Sequence, residues 1–315
     1  MANQIELIAV DLDGTLLNEK NEVSDRNEKA IKAAVERGVK VVIATGKTRF
    51  SMLQTLARLG LTTPGIYNQG LIIYQADGAV AHQTTLEPAV ARQVITFCED
   101  RGFDVIAYSG DRILVKYDSP QATMLHTRFG EPLPEAVGPL VNILDEIPVN
   151  KLIVTKQGDP RRIRAIRWQL EMQLDGKGRL VQAMIPDMVE VLPPRGSKGM
   201  ALKTVLKEMG ITADKMMAIG DGENDKEMIE LAGVGVAMGN ADDRLKAVAK
   251  YTVGTNLEDG VAQAIDRFVF DGKLDEVLGV QAAPAADATP TDAAAESGQS
   301  EPAPAETQQQ ETTEQ

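Results

Sequence analysis

Cysteine and histidine are nearly absent: the 315 residues include one Cys, Cys98, and two His, His82 and His126. A lone thiol cannot close an internal disulfide, so a reducing compartment, the cytoplasm, suits the chain. Cys98 sits in the helix-like stretch VITFCED and reads as a small buried hydrophobe. Neither histidine has a ligand-type neighbour, which leaves no Cys/His metal set. No apolar run is long enough to span a bilayer, so no membrane partner is expected. The start, MANQIELIAV, has no basic region and no cleavage site, so no removable signal is expected. Positive charge is also in deficit. The 33 Lys and Arg against 46 Asp and Glu leave a net charge of −13, which argues against a nucleic-acid binder. No G-x-G-x-x-G follows a strand, which excludes a dinucleotide-binding Rossmann protein.

What is present alternates strand and helix. IELIAVD reads as a short buried strand. DRNEKAIKAAVERG carries Ala30, Ile31, Ala34 and Val35 at helical spacing, with Ser24 or Asp25 as N-cap and Gly38 at its end. VKVVIATG is a β-branched run of the kind found in strands covered on both faces. The same rhythm returns in SKGMALKTVLKEMG, KMMAIGDG, NDKEMIELAG and VGVAMGN. Such alternation predicts a parallel sheet with right-handed crossovers. Between the halves the texture is α+β. RILVKYD, KLIVTKQ and LVQAMI read as strands, PAVARQVITFCEDRG and DPRRIRAIRWQLEMQL as helices. The last is basic on one side, through Arg161, Arg162, Arg164 and Arg167, and its Trp168 is expected in a core. From about residue 279 the composition changes. AAPAADATPTDAAAESGQSEPAPAETQQQETTEQ lacks aromatics, Leu, Ile, Lys and Arg, and is predicted to be a disordered acidic tail. The expected fold class is therefore α/β: a Rossmann-like parallel-sheet core in two parts (1–82 and 188–278), an inserted α+β cap (83–187) and the tail (279–315).

In open α/β sheets, reactive groups collect beyond the carboxyl ends of the strands. Four such positions carry chemistry here. IAVDLDGT delivers Asp11 and Asp13 with a glycine behind them; IATGK ends on Thr45 and Gly46 just before a helix; RGSKG places Lys198 at a helix start; GDGEND holds Asp221, Asn224 and Asp225. Clustered carboxylates repel and need a cation, and all-oxygen ligands with a phosphate select Mg²⁺ over zinc. A hydroxyl plus a glycine amide at a helix N-terminus suits a phosphate oxygen. One Asp can then attack phosphorus while another protonates the leaving oxygen. Lys198 and Thr45 would neutralise charge on the phosphoryl group.

The ordered set D-x-D-G-T, T-G, K and G-D-x-x-N-D resembles the haloacid dehalogenase superfamily over residues 5–271. VEVLPPRGSKGMAL, AMGNADDRLKAVA and TNLEDGVAQAI resemble its Cof-type phosphatases, which carry a large α/β cap. The resemblance implies that Asp11 is the nucleophile and a metal ligand. It implies that Asp13 is the general acid/base, contributing its backbone carbonyl to the metal, and that Asp221 is the third protein ligand. Thr45, Gly46 and Asn224 would contact phosphate, Lys198 would neutralise charge, and Asp225 would orient Lys198 and the metal's waters. Lys47 stands where the subfamily often has Arg, with Arg49 a nearby cation. The function so implied is Mg²⁺-dependent hydrolysis of small phosphorylated metabolites through an aspartyl-phosphate. The alternatives are a sugar phosphomutase and a non-catalytic binding protein on the same scaffold.

Overall fold

The computed structural model describes residues 4–183 and 185–279. The tail expected over 279–315 lies outside them, apart from Gly279. The chain opens with β1 (Leu7–Val10), α1 (Asp25–Glu36), β2 (Lys40–Ile43), α2 (Leu53–Leu59) and an antiparallel meander of β3 (Gly65–Tyr67), β4 (Ile72–Tyr74) and β5 (Val80–Gln83). The middle of the chain holds α3 (Pro88–Glu99), β6 (Asp104–Ser109), β7 (Arg112–Val115), α4 (Pro120–Phe129), β8 (Pro134–Ala136), β9 (Lys151–Thr155), α5 (Pro160–Leu174), β10 (Arg179–Gln182) and β11 (Met188–Leu192). It closes with α6 (Lys198–Met209), β12 (Met216–Gly220), α7 (Lys226–Leu231), β13 (Val234–Ala237), α8 (Asp243–Val248), β14 (Tyr251–Thr252), α9 (Gly260–Val269) and α10 (Leu274–Val277).

The first sheet has the order β14-β13-β12-β1-β2 and is parallel throughout. Its strands are apolar on both faces because helices cover both. Side chains alternate along a strand. Ile8 and Val10 of β1 therefore join α1 and α9 through Ile31, Ala34, Val261 and Ile265. Leu7 and Ala9 face the other way, onto Leu202 and Val205 of α6 and Met228 and Ile229 of α7. Each fully buried side chain of this size contributes roughly 1.5–3 kcal/mol. Ser24 is the N-cap of α1, accepting the Asn27 N–H at 3.1 Å.

The second sheet, β10-β11-β9-β6-β7-β8, is antiparallel except for the β7–β8 pair. One face, with Val105, Leu152, Val154 and Val191, is covered by α3 and α5. The other, with Ile106, Tyr108, Ile153 and Met188, meets Ala122 and Leu125 of α4. The last strand of this sheet, Met188–Leu192, lies past residue 187, where the sequence reading ends the cap. An apolar run such as MVEVL does not announce its sheet; only its pairing with β9 does. Trp168 departs from expectation: it is 69% exposed. The buried stripe of α5 is Ile163, Ile166, Leu170 and Leu174, and helical spacing puts position 168 on the opposite side. Cys98 is fully buried, and burial pushes its thiol up to about 12.

One glycine ties the meander to α6. Gly70 has a φ of +89°, and a Cβ there would lie 2.2 Å from the carbonyl oxygen of Ser197, the N-cap of the helix that begins with Lys198. Gly70→Ala should cost about 2 kcal/mol or more, because strain and overpacking add. Gly60→Ala, with φ +65° and open space around it, should cost only the backbone strain, about 1 kcal/mol. Urea midpoints of the two variants check this; equal losses would mean that the Gly70–Ser197 approach is not tight.

Candidate active site

All four sequence positions converge at the carboxyl end of the parallel sheet, where the chain leaves β1 for β2 on one side and β12 lies on the other. The strand period explains the first of them. Asp11 continues the Leu7–Ala9 face, so it emerges on the side of α6 and α7. Lys198, the first residue of α6, meets it there: Lys198 Nζ lies 2.5 Å from Asp11 Oδ1 and 2.7 Å from Asp225 Oδ1. The ammonium is 1% exposed and Asp225 0%, so this is a fully desolvated triad. Asp225 Oδ2 accepts the backbone N–H groups of Asp221 and Gly222 at 3.0 and 2.9 Å. Both Asp225 oxygens are thus occupied, and the carboxylate holds the lysine and the Asp221 loop in register. Asp221 Oδ1 accepts from Thr15 Oγ1 at 2.9 Å. Gly14, at φ +77°, lets the turn after β1 approach, since a Cβ there would sit 2.2 Å from Asp221 Oδ2.

Electrostatics follow from this crowding. Burial, then repulsion by Asp225, raises Asp11 well above the usual carboxylate range against the pull of Lys198. Burial, then the charge of Asp225, pushes Asp221 up to about 6. Burial alone would lower Lys198, but Asp11 and Asp225 outweigh it and hold it above its ordinary value. Ligand oxygens of Asp11, Asp221 and Asp225 can lie within 4.8 Å of one another. Three acids around one lysine are short of positive charge, and an all-oxygen donor set of this size suits a hard divalent cation.

The remaining sequence candidates divide. Asp13 does not join that cluster by its side chain; its Oδ1 pairs with Lys47 Nζ at 2.7 Å. Thr45 is fully buried, and its Oγ1 accepts the Lys47 N–H at 3.1 Å, bending the loop so that Gly46 and Lys47 line the cavity. Asn224 also lines it and donates to Gln69 Oε1 at 2.9 Å. Arg49 lies elsewhere, over the Tyr74 ring at 5.7 Å. Asn68 is buried at φ +49° and donates to the carbonyl of Gly110.

The cavity, about 460 Å³, runs from Asp11, Asp13 and Asp221 to the face of the second sheet not covered by α3 and α5. Sequence reasoning missed this far wall. Lys151 and Glu190 form a buried ion pair at 3.1 Å, and Lys151 Nζ also donates to the carbonyl of Gly46 at 3.0 Å. Glu131 reaches across to the loop after Gly46, accepting from Thr48 Oγ1 at 2.5 Å and Ser51 Oγ at 2.8 Å. A charge inside an apolar strand run, as in KLIVT and MVEVL, was the available signal.

A family model for haloacid dehalogenase-like hydrolases matches residues 8–265. The chain belongs to this family. Phosphatase YwpJ of Bacillus subtilis is 31% identical over 278 residues, covering 82% of this chain and 98% of that protein. The chloroplastic endoribonuclease YBEY of Arabidopsis thaliana is 39% identical over 274 residues, covering 84% of this chain; the chain spans only 46% of that relative's length. A solved haloacid dehalogenase-like hydrolase from Bacteroides thetaiotaomicron superposes with a TM-score of 0.74 at 29% identity, covering 84% of this chain and 99% of that one. The α/β core, the second α+β sheet and the Asp cluster of this haloacid dehalogenase-like hydrolase agree with the sequence resemblance.

Two outcomes follow from the buried triad. Lys198→Met leaves Asp11 and Asp225 buried without their counter-charge and should lower unfolding free energy by about 3–5 kcal/mol in urea titrations. A loss under 1 kcal/mol would show that the triad is solvated. The second concerns pH. With the Asp221 carboxyl raised from 3.8 to about 6, the folded chain binds that proton more tightly than the unfolded chain. Its contribution to stability is then lost as pH rises through that interval when no cation is present. The gain in Tm on saturation with MgCl₂ should therefore grow between those pH values and be much smaller in Asp221→Asn. A pH-independent gain, equal in both proteins, would remove Asp221 from the cation site.

Proposed function

We propose that the chain is a Mg²⁺-dependent phosphatase of small phosphorylated metabolites. The single observation that carries this reading is the buried Lys198 held between Asp11 and Asp225 at the strand ends, with Asp11 and Asp221 open to one cavity. Asp11, the Asp13 carbonyl and Asp221 would hold the ion. When bound, the ion supplies charge stabilisation to the phosphoryl oxygens.

An Asp11 oxygen attacks phosphorus as Asp13 gives its proton to the departing oxygen, so the O–P bond to Asp11 forms while that to the leaving group breaks. Water then adds to the same phosphorus, losing a proton to Asp13, and the Asp11–phosphorus bond breaks. Lys198 pulls Asp11 toward its ionised form and aims it. Thr45, through the loop it bends, and Gly46 and Asn224 receive the phosphoryl oxygens. Lys47 now holds the Asp13 carboxylate; an arriving monoanionic phosphate ester competes for that lysine and hands the freed carboxylate the proton that Asp13 then passes to the departing oxygen.

This reading divides the labour, with chemistry on the core and the leaving group against the second sheet, which includes Met188–Leu192 beyond the expected boundary at 187. A cytoplasmic setting suits the single buried thiol Cys98. The ribonuclease activity in the name of the Arabidopsis relative is not carried over, because more than half of that protein lies outside the alignment.

Asp11→Asn should lower kcat for 4-nitrophenyl phosphate with Mg²⁺ on the order of a thousandfold or more. Its urea midpoint should hold, since one crowded carboxylate is removed and Lys198 keeps Asp225. Full turnover in this variant would remove Asp11 as the nucleophile, and full turnover in EDTA would remove the Mg²⁺ requirement.

A further inference from the structure

The far wall of the cavity carries a polar pair that the chemistry above does not use. Lys151 and Glu190 lie on neighbouring strands β9 and β11, with side chains on the face that α3 and α5 leave uncovered. Lys151 Nζ has its donors committed: one to Gly46 O at 3.0 Å, one to Glu190 Oε1 at 3.1 Å, and the ammonium stands 4.5 Å from the centroid of the Tyr108 ring. Glu190 is different. It is 6% exposed, and its Oε2 is buried with no hydrogen-bond partner. A buried carboxylate oxygen without a donor is costly, and this residue lines the cavity. The surroundings limit what could supply the donor. The cavity's lysines are Lys47 and Lys151, and each is already neutralised, by Asp13 at 2.7 Å and by Glu190. Three more acids, Glu131, Glu223 and Asp242, line the cavity. Gln182 on this wall gives its amide N–H groups to the carbonyls of Ala183, Ile185 and Met188, and apart from it and Tyr108 the wall is apolar: Leu125, Phe129, Ile153, Ala183, Ile185 and Met188.

We propose that Glu190, positioned by Lys151, determines specificity: it accepts a hydrogen bond from a hydroxyl or amine of an uncharged or cationic leaving group, and the wall around it rejects a second anionic group. This rests on the phosphatase reading and deepens it. Favoured substrates are monophosphates of hydroxyl- or amine-bearing organic groups with one apolar face. Bisphosphates and nucleoside di- or triphosphates are disfavoured, because no unpaired cation among the described residues lines the cavity to meet their extra charge. That also counts against a phosphomutase, which needs a bisphosphate. Because Lys151 grips the carbonyl of Gly46, the same pair registers the far wall against the phosphate loop.

The test uses the full chain with Mg²⁺ and two matched pairs of substrates: sorbitol 6-phosphate against hexyl phosphate, which lacks hydroxyls, and fructose 6-phosphate against fructose 1,6-bisphosphate. The wild type should favour the first of each pair in kcat/KM by about tenfold or more, as expected when a site's buried acceptor is left unpaired or a like charge is forced on it. In Glu190→Gln the sorbitol-to-hexyl ratio should fall about tenfold, and discrimination against the bisphosphate should shrink because Lys151 loses its neutralising partner. Lys151→Gln, which leaves the Glu190 charge in place, should keep or sharpen the rejection of the bisphosphate. Wild-type hydrolysis of all four esters without preference overturns the proposal without any variant. Glu190→Gln losing activity equally on all four also overturns it, leaving Glu190 a structural residue. If the wild type hydrolyses no phosphate ester, the phosphatase reading itself falls, and this proposal falls with it.

Discussion

The site depends on one desolvated ammonium. Lys198 Nζ, buried between Asp11 and Asp225, joins three segments that are far apart in the chain: the end of β1, the start of α6 and the loop after β12. Desolvating a charge is expensive, and only good geometry with further hydrogen bonds compensates for it. Asp225 meets that condition by accepting two backbone N–H groups as well as the lysine. The arrangement still carries more negative than positive charge. Burial, with that imbalance added to it, raises Asp11 and Asp221, and the imbalance fits the cluster to receive a cation rather than to close as a structural ion pair.

The scaffold makes the crowding tolerable. The parallel sheet is buried on both faces, so its strand ends are rigid and leave acidic side chains nowhere to turn except the rim. Close backbone approaches do the fine placement. Gly14 admits Asp221, and Gly70 admits the Ser197–Lys198 turn, each at a positive φ with no space for a Cβ. The second sheet contributes differently. One of its faces is spent on α3 and α5, and the other, partly covered by α4, becomes the wall of the cavity. Contacts of Lys151 with Gly46 and of Glu131 with Thr48 and Ser51 fix that wall against the loop at the end of β2. The acidic cluster and the Lys151–Glu190 pair thereby stand on separate sheets that share one space.

Much of this was legible in the residues. Paired aspartates leaving an apolar run, a Thr-Gly before a helix, a lysine at a helix start and a glycine-rich acidic loop each mark a strand end in an α/β sheet, and their order implied both fold and family. Local periodicity also located β1, β2, α1, α6 and β12. Other features were not readable. Trp168 looked like core, but a helix has only one buried stripe and Ile163, Ile166 and Leu170 occupy it. Lys47 stood where an arginine was expected, and only the fold shows that it pairs with Asp13.

By itself the sequence determined the layer architecture and which acidic, hydroxyl and lysine side chains stand at the strand and helix ends, because both rest on short-range patterns: the periods of strand and helix, and residue types at strand ends. Tertiary structure alone decided the partners. That Lys198 lies between Asp11 and Asp225, that Met188–Leu192 belongs to the second sheet, and that Lys151 and Glu190 face the same cavity as Asp11 are matters of which strands pair and which faces meet. Those follow from long-range packing, in which residues separated by most of the chain come within a hydrogen bond of each other, and no local pattern encodes that distance.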